Sequence, residues 1–473
     1  MTSIGLCWIR RDLRLHDHAA LSQCTLENDV VHIVFIFDDA ILGPIKSKVT
    51  SDKRVQFICE SLIEINQVLV AKGGSLWIRH GNPVDEIPKL AHELGADRVY
   101  FNRDYSPYAI RRDTLVSDRI IGEGREVYSF KDHVVFEPTE IVKPDTTPYR
   151  VFTPYSRAWI SQLGGVHQLP TFPVILNGIG HGDRSDVLSD TESLLKFVGF
   201  EPDPTLFPGG SVEGLRRLSV FADGLSAYGT EREYPSRAGT SKLSVYLRHG
   251  CISIRDLVNV ALNHPSPGAQ KWLVELIWRE FYQAIFYFSP WVNDRPFQDR
   301  YKGLVLTTSE DYLACFKAGM TGFPLIDAAM RCLNQTGWMH NRLRMVVASF
   351  VTKILLIDWK RGERYFSFKL IDYELQSNNG GWQWAAGIGC DAAPYFRIFN
   401  PTTQSKTYDP DGDFIREFCP ELSRLNSQQI HCPASAKTLP ESFKLGRDYP
   451  YPIVDYAVQR KKALAIYGSH RPD

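Results

Sequence analysis

From residue 1 to about residue 130 the sequence alternates two kinds of apolar pattern, and this alternation constrains the fold more than any other feature. IGLCWI and VVHIVFIF are short, apolar and rich in β-branched residues, as buried strands are. The stretch SDKRVQFICESLIEINQVLVAKGG instead spaces Phe57, Leu62, Ile65 and Leu69 along one helical face and closes on Gly73 and Gly74. SLWIR, RVYF and EVYSF read as further strands, with helical stretches around 83–95 and 109–122 between them. Strands separated by helices pair in parallel, and the crossover helices cover both faces of the sheet. The implied class is an α/β doubly wound domain. No GxGxxG follows the first strand, so an ordinary dinucleotide fingerprint is absent. Asp38, Asn102, Arg103 and Asp104 fall where strand ends open a crevice, the expected ligand position in such sheets. Taken singly, each reads first as a cap or turn residue.

The pattern changes twice further on. From about 131 to 205 Pro, Gly, Asp and Thr dominate, as in KPDTTPYRVFTPY and FVGFEPDPTLFPGG, and the stretch reads as a long connector. After Gly210 the spacing is helical throughout, in VEGLRRLSVFADGL, AQKWLVELIWREFYQAIFYF, FPLIDAAMRCLNQTG and NRLRMVVASFVTKILLIDW. A polar stretch from Ser423 to Pro440 precedes a last helix, IVDYAVQRKKALAIYG. We therefore expect an α/β domain over 1–130, a connector over 131–205 and an all-helical domain over 206–473. At 473 residues the chain can build two or three such domains with sizeable cores.

Composition excludes several classes. The nine Cys form no CxxC pair and are odd in number, which argues against a disulfide framework or zinc ribbon and for a reducing compartment; no metal site is expected. The first residues are charged by position 10 and lack the apolar core of a signal peptide. Met345 to Leu356, the most apolar later run, carries Lys353 and is too short to span a bilayer. The expectation is a cytoplasmic protein without a membrane partner. Formal net charge is zero, so any polyanion binding must rely on Arg and Lys gathered on one face. The aromatic share is 12%, with 10 Trp and 21 Tyr, which suits rich core packing or stacking on bases and cofactors.

Four stretches concentrate chemistry. NNGGWQW, residues 378–384, sets amide groups, two glycines and Trp382 and Trp384 side by side. Asn offers donor and acceptor to a polar ring edge, Gly lets backbone approach a flat ligand, and Trp can stack or carry electrons. A tight loop with packed Trp is the structural alternative. GTSKLS, residues 239–244, opens a helix with Thr240, Ser241 and Ser244, a cap pattern that also favours an anion. KWLVELIWREFY puts Glu275, Trp278 and Tyr282 on one helical face, and a carboxylate there is hard to explain as core. TGWMHNRLRM places Trp338, Asn341 and Met345 on one face, with Arg342 and Arg344 beside it.

Together, in this order, these motifs resemble the DNA photolyase and cryptochrome family over nearly the whole chain, in detail the bacterial class I cyclobutane pyrimidine dimer photolyases. The opening WIRRDLRLHDHAAL is similar to the family's first strand and loop. The resemblance implies an N-terminal antenna domain and a helical domain that binds FAD and DNA. It assigns Tyr228, Thr240, Ser241, Lys242, Leu243, Ser244, Trp272, Asn341, Arg344, Asp372, Tyr373, Glu374 and Asn378 to FAD. It assigns Arg232, Glu275, Trp278, Tyr282, Asn341, Arg342, Met345, Trp384, Arg397 and Gln404 to substrate DNA. Lys242 stands where relatives have Arg, which keeps the charge but loses the planar fork. Glu374 stands where they have Asp. A reduced flavin is anionic on its pyrimidine side, so a cation held by a carboxylate suits it, and Arg344 with Asp372 looks like that pair. Asn378 resembles the residue facing flavin N5. Plant cryptochromes have Asp there and animal ones often Cys, so Asn favours repair over signalling. FNRDYSPYAIRRD lacks the acidic residue of folate-binding relatives, so a second, antenna chromophore is left open among folate, a deazaflavin and another flavin.

The implied reaction is light-dependent: excited reduced FAD gives an electron to a flipped-out thymine dimer, the ring splits, and the electron returns. Glu275 hydrogen-bonds the dimer, while Trp278 and Trp384 pack on its bases. Met345 replaces the second His that (6-4) photolyases need for acid work, so cyclobutane repair is preferred. The partner is DNA containing pyrimidine dimers, and the protein is expected to be a monomer. The alternatives are a (6-4) photolyase, a blue-light receptor, and a flavin-free nucleotide-binding module. Trp382 and Trp359 match the inner two of three electron-carrying tryptophans. Near the outer position stand Leu304 and Leu306, so the usual exit is missing.

Overall fold

The computed structural model describes every residue except Met1, His167, Val305, Thr307, Thr308 and residues 471–473. The chain forms two compact units, and it passes back and forth between them. The first holds Met1–Glu140, Ser161–Leu225 and Ser241–Leu276; the second holds Ile141–Ile160, Ser226–Thr240 and Ile277–Asp473.

In the first unit five parallel strands, β1 (Ile4–Ile9), β2 (Val30–Asp38), β3 (Trp77–Gly81), β4 (Arg98–Asn102) and β5 (Glu126–Phe130), form a sheet of order β3-β2-β1-β4-β5. Trp8 is level with Val34 on one side and Phe101 on the other. The inner strands are buried on both faces because helices cover both, which is why their sequences lack polar alternation. Leu6, Trp8, Val34, Val99 and Phe101 pack with Ile87 and Leu90 of helix Pro83–Leu94 and with Val116 and Ile120 of helix Pro107–Gly122. All five expected strands form, and helix Lys53–Ala71 buries the expected Phe57, Leu62, Ile65 and Leu69. Chain order reverses between β1 and β4, so the crevice of such a sheet belongs at their C-terminal ends.

Side chains fill that position. Arg10 pairs with Asp113 at 2.5 Å and also donates to the Asn102 carbonyl. Asn102 Nδ2 donates to Asp12 at 2.8 Å, and its Oδ1 accepts from Ala20 N at 3.0 Å. Asp38 accepts from the Tyr108 hydroxyl at 2.6 Å and caps Ala40 N at 3.0 Å. Asp104 pairs with Arg11 and accepts from Ser106 N; Arg103 pairs with Glu137. Deeper still, Asp132 lies between two buried guanidiniums, Arg14 and Arg255, each at 2.7 Å, and Arg255 also holds Asp17 at 2.8 Å. Burial raises the Asp132 carboxyl, but the two arginines outweigh it and hold the group below the usual range.

In the second unit, no strand occurs among the described residues. Its core gathers Leu333, Leu343, Val347, Phe350, Trp359, Phe366 and Trp382. Two helical runs differ from the sequence expectation. NRLRMVVASFVTKILLIDW is not one helix: Asn341–Ser349 is α-helical, Phe350–Ile354 is a π-helical turn, and Leu356, at φ 54°, breaks the run before Asp358 caps helix Trp359–Lys369. The apolar spacing continued through the break because both sides face the same core. Trp338 lies outside the helix that carries Asn341 and Met345, since Gly337 terminates helix Pro324–Thr336 and His340 caps the next. The connector stretch also contains a helix that its composition concealed, Phe152–Gln162.

Candidate active site

The residues singled out in the sequence divide between the units. Ser241, Lys242, Leu243, Ser244, Trp272 and Glu275 belong to the first. GTSKLS does not lead into a long helix: only Ser244–His249 is helical, and no side chain caps it. Lys242 sits at φ 50°, a region L-residues rarely hold, and Ser241 Oγ accepts from Leu243 N at 3.4 Å. Leu243 is buried. Trp272 is also buried, its ring edge-on to Phe221 at 5.0 Å, and Glu275 is half-buried.

The second unit holds Tyr228, Arg232, Thr240 and all the others, and it brings several together. Helix Asn341–Ser349 begins with His340 Nδ1 accepting from Arg342 N at 3.1 Å. Burial, followed by the nearby arginines, lowers the His340 pKa to about 4 against an opposing pull from Glu233, so its ring is neutral. Asn341 is exposed and Met345 half-buried. Arg344 donates to Met339 O and to Asp372 Oδ2, each at 2.8 Å, which forms the expected cation–carboxylate pair. Asp372 Oδ1 is buried and has no hydrogen-bond partner.

Helix Leu375–Ala386 carries NNGGWQW, and Tyr373 and Glu374 precede it. Asn378 Nδ2 donates to Glu363 Oε1 at 2.7 Å, which leaves the Asn378 oxygen as its available end. Burial raises the Glu363 pKa, partly offset by that bond. Glu374 receives Arg279 Nε and Nη2, both at 2.9 Å, so its charge is matched inside the protein. The glycine pair divides its work. A Cβ on Gly380 would lie 2.2 Å from the Tyr282 ring, so that glycine makes room for a tyrosine of this chain; a Cβ on Gly381 would meet nothing within 4 Å. Trp382 is buried over Gly362, where a Cβ would lie 2.1 Å from the indole. Trp359 is buried, Trp384 half-buried, and Leu306 packs against the core. The residues flanking Leu306 lie outside the described residues.

Helix Pro267–Phe288 sets Trp278 and Tyr282 5.5 Å apart, and Trp278 lies flat on Phe152, centroids 3.7 Å apart and planes at 4°. Arg342 does not reach out alone. Glu233 takes its Nε at 2.9 Å, and the guanidinium lies 4.4 Å over the Tyr408 ring. Arg232 lies over Tyr228 and 3.6 Å from Glu233. Arg397 is exposed, and its carbonyl accepts from the buried Lys353 at 3.0 Å. Gln404 Oε1 is buried without a partner, on a helix capped by Asn400. Sequence reasoning missed Phe152, Glu233, Arg279 and Glu363, since partners so distant in the chain leave no local pattern.

A flavin presents an edge of hydrogen-bond donors and acceptors, and an orphaned buried polar atom costs free energy unless a ligand takes it. Asp372 Oδ1 and Thr240 Oγ1 are such atoms, and their chemistry fits the polar edge of a flavin.

The comparisons with known proteins agree. The DNA photolyase family matches residues 5–174, and the FAD binding domain of DNA photolyase matches residues 272–469. A deoxyribodipyrimidine photo-lyase from Alkalihalophilus pseudofirmus is 38% identical over 98% of both chains. Among solved structures, a class III photolyase from Agrobacterium tumefaciens superposes with a TM-score of 0.88 at 32% identity, covering 99% of this chain and 98% of that one. An archaeal photolyase from Sulfolobus tokodaii, solved with two FAD molecules, gives 0.81 at 30%, covering 98% and 100%. The chain belongs to the DNA photolyase family. It carries the family's FAD binding domain, and no helix among the described residues is long and apolar enough to cross a membrane.

Proposed function

We propose that this protein repairs cyclobutane pyrimidine dimers in DNA, as a light-dependent deoxyribodipyrimidine photo-lyase. The observation that carries the reading is the near-full-length likeness to a photo-lyase of that name. When bound, reduced FAD supplies light-driven donation of one electron to the dimer and takes it back after the ring has split.

The residues of this chain supply the rest. Arg344, oriented by Asp372, counters negative charge on the flavin pyrimidine edge, and Asp372 Oδ1 accepts from that edge. Asn378, anchored by Glu363, presents its oxygen at N5. Tyr228, Thr240, Ser241, Lys242, Leu243, Ser244, Trp272, Asn341, Tyr373 and Glu374 complete the flavin's surroundings. Trp278, Tyr282, Met345 and Trp384 form the lesion face, and Glu275 hydrogen-bonds the dimer. Arg232, Arg342, Arg397 and Gln404 meet the DNA backbone, where cations give affinity and register. Trp382 and Trp359 carry electrons inward when oxidised flavin is reduced; with Leu306 at the outer position, that path runs slowly or by another aromatic. Residues 1–130 form the antenna domain for a second chromophore, 131–205 the connector, and 206–473 the catalytic domain. The second FAD of the archaeal relative supports a flavin as the antenna. The protein works as a cytoplasmic monomer.

The test is to illuminate the reduced protein with an oligonucleotide carrying one thymine dimer. Loss of dimers in light and not in darkness is expected. No loss overturns the reading, and loss confined to (6-4) products replaces it with (6-4) repair.

A further inference from the structure

Trp278 forms one face of the lesion site under the proposed repair function, and the role inferred here for its neighbour rests on that reading. An indole at a ligand surface discriminates only if its plane is fixed. Left to itself, it moves between rotamers, and each base that stacks on it must first stop that motion. In this structure the plane is fixed from behind. Phe152 lies parallel to Trp278 with centroids 3.7 Å apart and planes 4° apart. This is the tightest ring stack in that aromatic group; Phe281 meets Phe152 and Trp278 edge-on, at 78° and 80°. Phe152 takes one face of the indole, so a base can stack only on the other.

The ring that does this is itself held at three points. Phe152 is the first residue of helix Phe152–Gln162, and its amide donates to Asp391 Oδ2 at 2.9 Å. Two residues earlier, the Arg150 carbonyl accepts from Cys390 Sγ at 2.9 Å. Asp391 holds φ 48°, in the left-handed region that Asp enters more readily than most L-residues. Two turns along the helix, the buried Trp159 Nε1 donates to the buried Glu280 at 2.6 Å, on the helix that carries Trp278. The corner Cys390–Asp391 thus clamps one end of the helix, Glu280 clamps the middle, and Phe152 is pressed onto Trp278 between them.

We infer that Phe152 is a positioning residue for lesion recognition: stacked behind Trp278 and anchored by Asp391, it sets the indole plane against which a pyrimidine dimer is distinguished from ordinary bases. Phe152 does not touch DNA, so its removal weakens discrimination and leaves the backbone contacts untouched.

The experiment uses the full FAD-loaded protein in the dark and measures affinity for a dimer-containing and an undamaged oligonucleotide. Phe152→Leu keeps apolar volume and removes the ring. It is expected to lower the dimer-over-undamaged ratio roughly three- to tenfold, the range that corresponds to one aromatic stack. Flavin content, affinity for undamaged DNA and repair per photon at saturating dimer stay unchanged. Phe152→Tyr, which keeps the ring, restores the ratio to within about twofold, on the same stacking scale. Asp391→Gly keeps the left-handed backbone and removes only the anchor; it lowers the ratio about twofold, as loss of one hydrogen bond would. This last variant decides the matter if Phe152→Leu does not fold. An unchanged ratio in both Phe152→Leu and Asp391→Gly overturns the inference, as does an equal loss on both DNAs. Trp278→Ala separates the two readings. If it loses discrimination while the Phe152 and Asp391 variants keep it, only the inference fails; if it also keeps discrimination, Trp278 is not a lesion face and both fail.

Discussion

The C-terminal ends of β1 and β4 and the surface around helix Leu375–Ala386 are both dense in polar groups, yet they use them in opposite ways. At the strand ends Asp132 takes Arg14 and Arg255, and Asn102 spends both ends of its amide on Asp12 and Ala20. Just before that helix, Asp372 gives one oxygen to Arg344 and leaves the other, buried, without a partner, and elsewhere in the helical unit Thr240 Oγ1 and Gln404 Oε1 are buried without one too. Satisfied buried polar groups fix a fold. Unsatisfied ones cost stability, and a site keeps them because a ligand will satisfy them. Trp8 Nε1, in β1, is also buried without a partner, so an orphaned atom by itself does not mark a ligand contact; under the proposed function, those of Asp372, Thr240 and Gln404 are the ones a cofactor or substrate would meet.

The sharpest way to break this comparison is to remove one charge from each region. Asp132→Asn leaves two buried guanidiniums sharing a neutral amide. Loss of one member of a buried ion pair costs ~3–5 kcal/mol, so the urea midpoint falls strongly while the folded fraction keeps its flavin. A loss below about 1 kcal/mol, the scale of a surface pair, means the network is not structural. Asp372→Ala inverts the pattern. Arg344 loses its partner, so stability falls, but less than for Asp132→Asn because that guanidinium is partly exposed; the larger effect is on the ligand, where a charge-assisted bond is gone and flavin affinity drops about 10- to 100-fold. Flavin absorbance relative to protein, followed through dialysis, reads it directly.

The sheet was legible in the sequence because its signals are local: IGLCWI and RVYF carry their strand character within a few residues. The Arg344–Asp372 pair was also met as expected. What could not be read was which polar residue faces which. Glu363 beside Asn378, Glu233 on Arg342 and Arg279 on Glu374 join distant segments. The break at Leu356 was hidden because its flanks share one apolar core, and the helix at Phe152 because Pro and Thr dominate the residues before it.

Acid offers a gentler probe, since each region buries a histidine that its surroundings hold neutral. Burial, then Arg11, lowers His133 to about 4; burial, against Glu233, lowers His340 to about 4. Between pH 6.5 and 4 the unfolded chain therefore binds protons that the folded chain does not. Stability is complete above the unfolded value and is lost as pH falls through that window; at about pH 5.5 each histidine costs about 1.4 kcal/mol. His340→Asn keeps an acceptor for the Arg342 amide and removes the titration. Its melting temperature should fall less between about pH 7.5 and pH 5 than that of the unaltered protein, by the share of one histidine. An identical pH slope rejects the assignment for His340 and leaves that for His133 standing.

The smallest expected effect refines the comparison, because one charged pair in the helical unit is already closed. Glu233 takes Arg342 and lies 3.6 Å from Arg232, with both side chains of the Arg342 pair partly exposed. If the helical unit keeps its cations for a polyanion, Glu233 competes with phosphate for two of them. Exposed pairs are worth at most about 1 kcal/mol, so the competition is mild and reversible. Glu233→Gln keeps the side chain's length and removes its charge. Affinity for undamaged DNA should rise about two- to fivefold, and the dependence of log affinity on log salt should steepen by about one. Discrimination between dimer and undamaged DNA stays constant, since backbone contacts carry no lesion information. Stability changes little, in contrast to Asp132→Asn, which makes the same carboxylate-to-amide change in a buried pair. A fall in DNA affinity with no change in the salt slope would show that Glu233 orients Arg342 for the backbone and does not compete with it, and the pair would then join the structural ones at the strand ends.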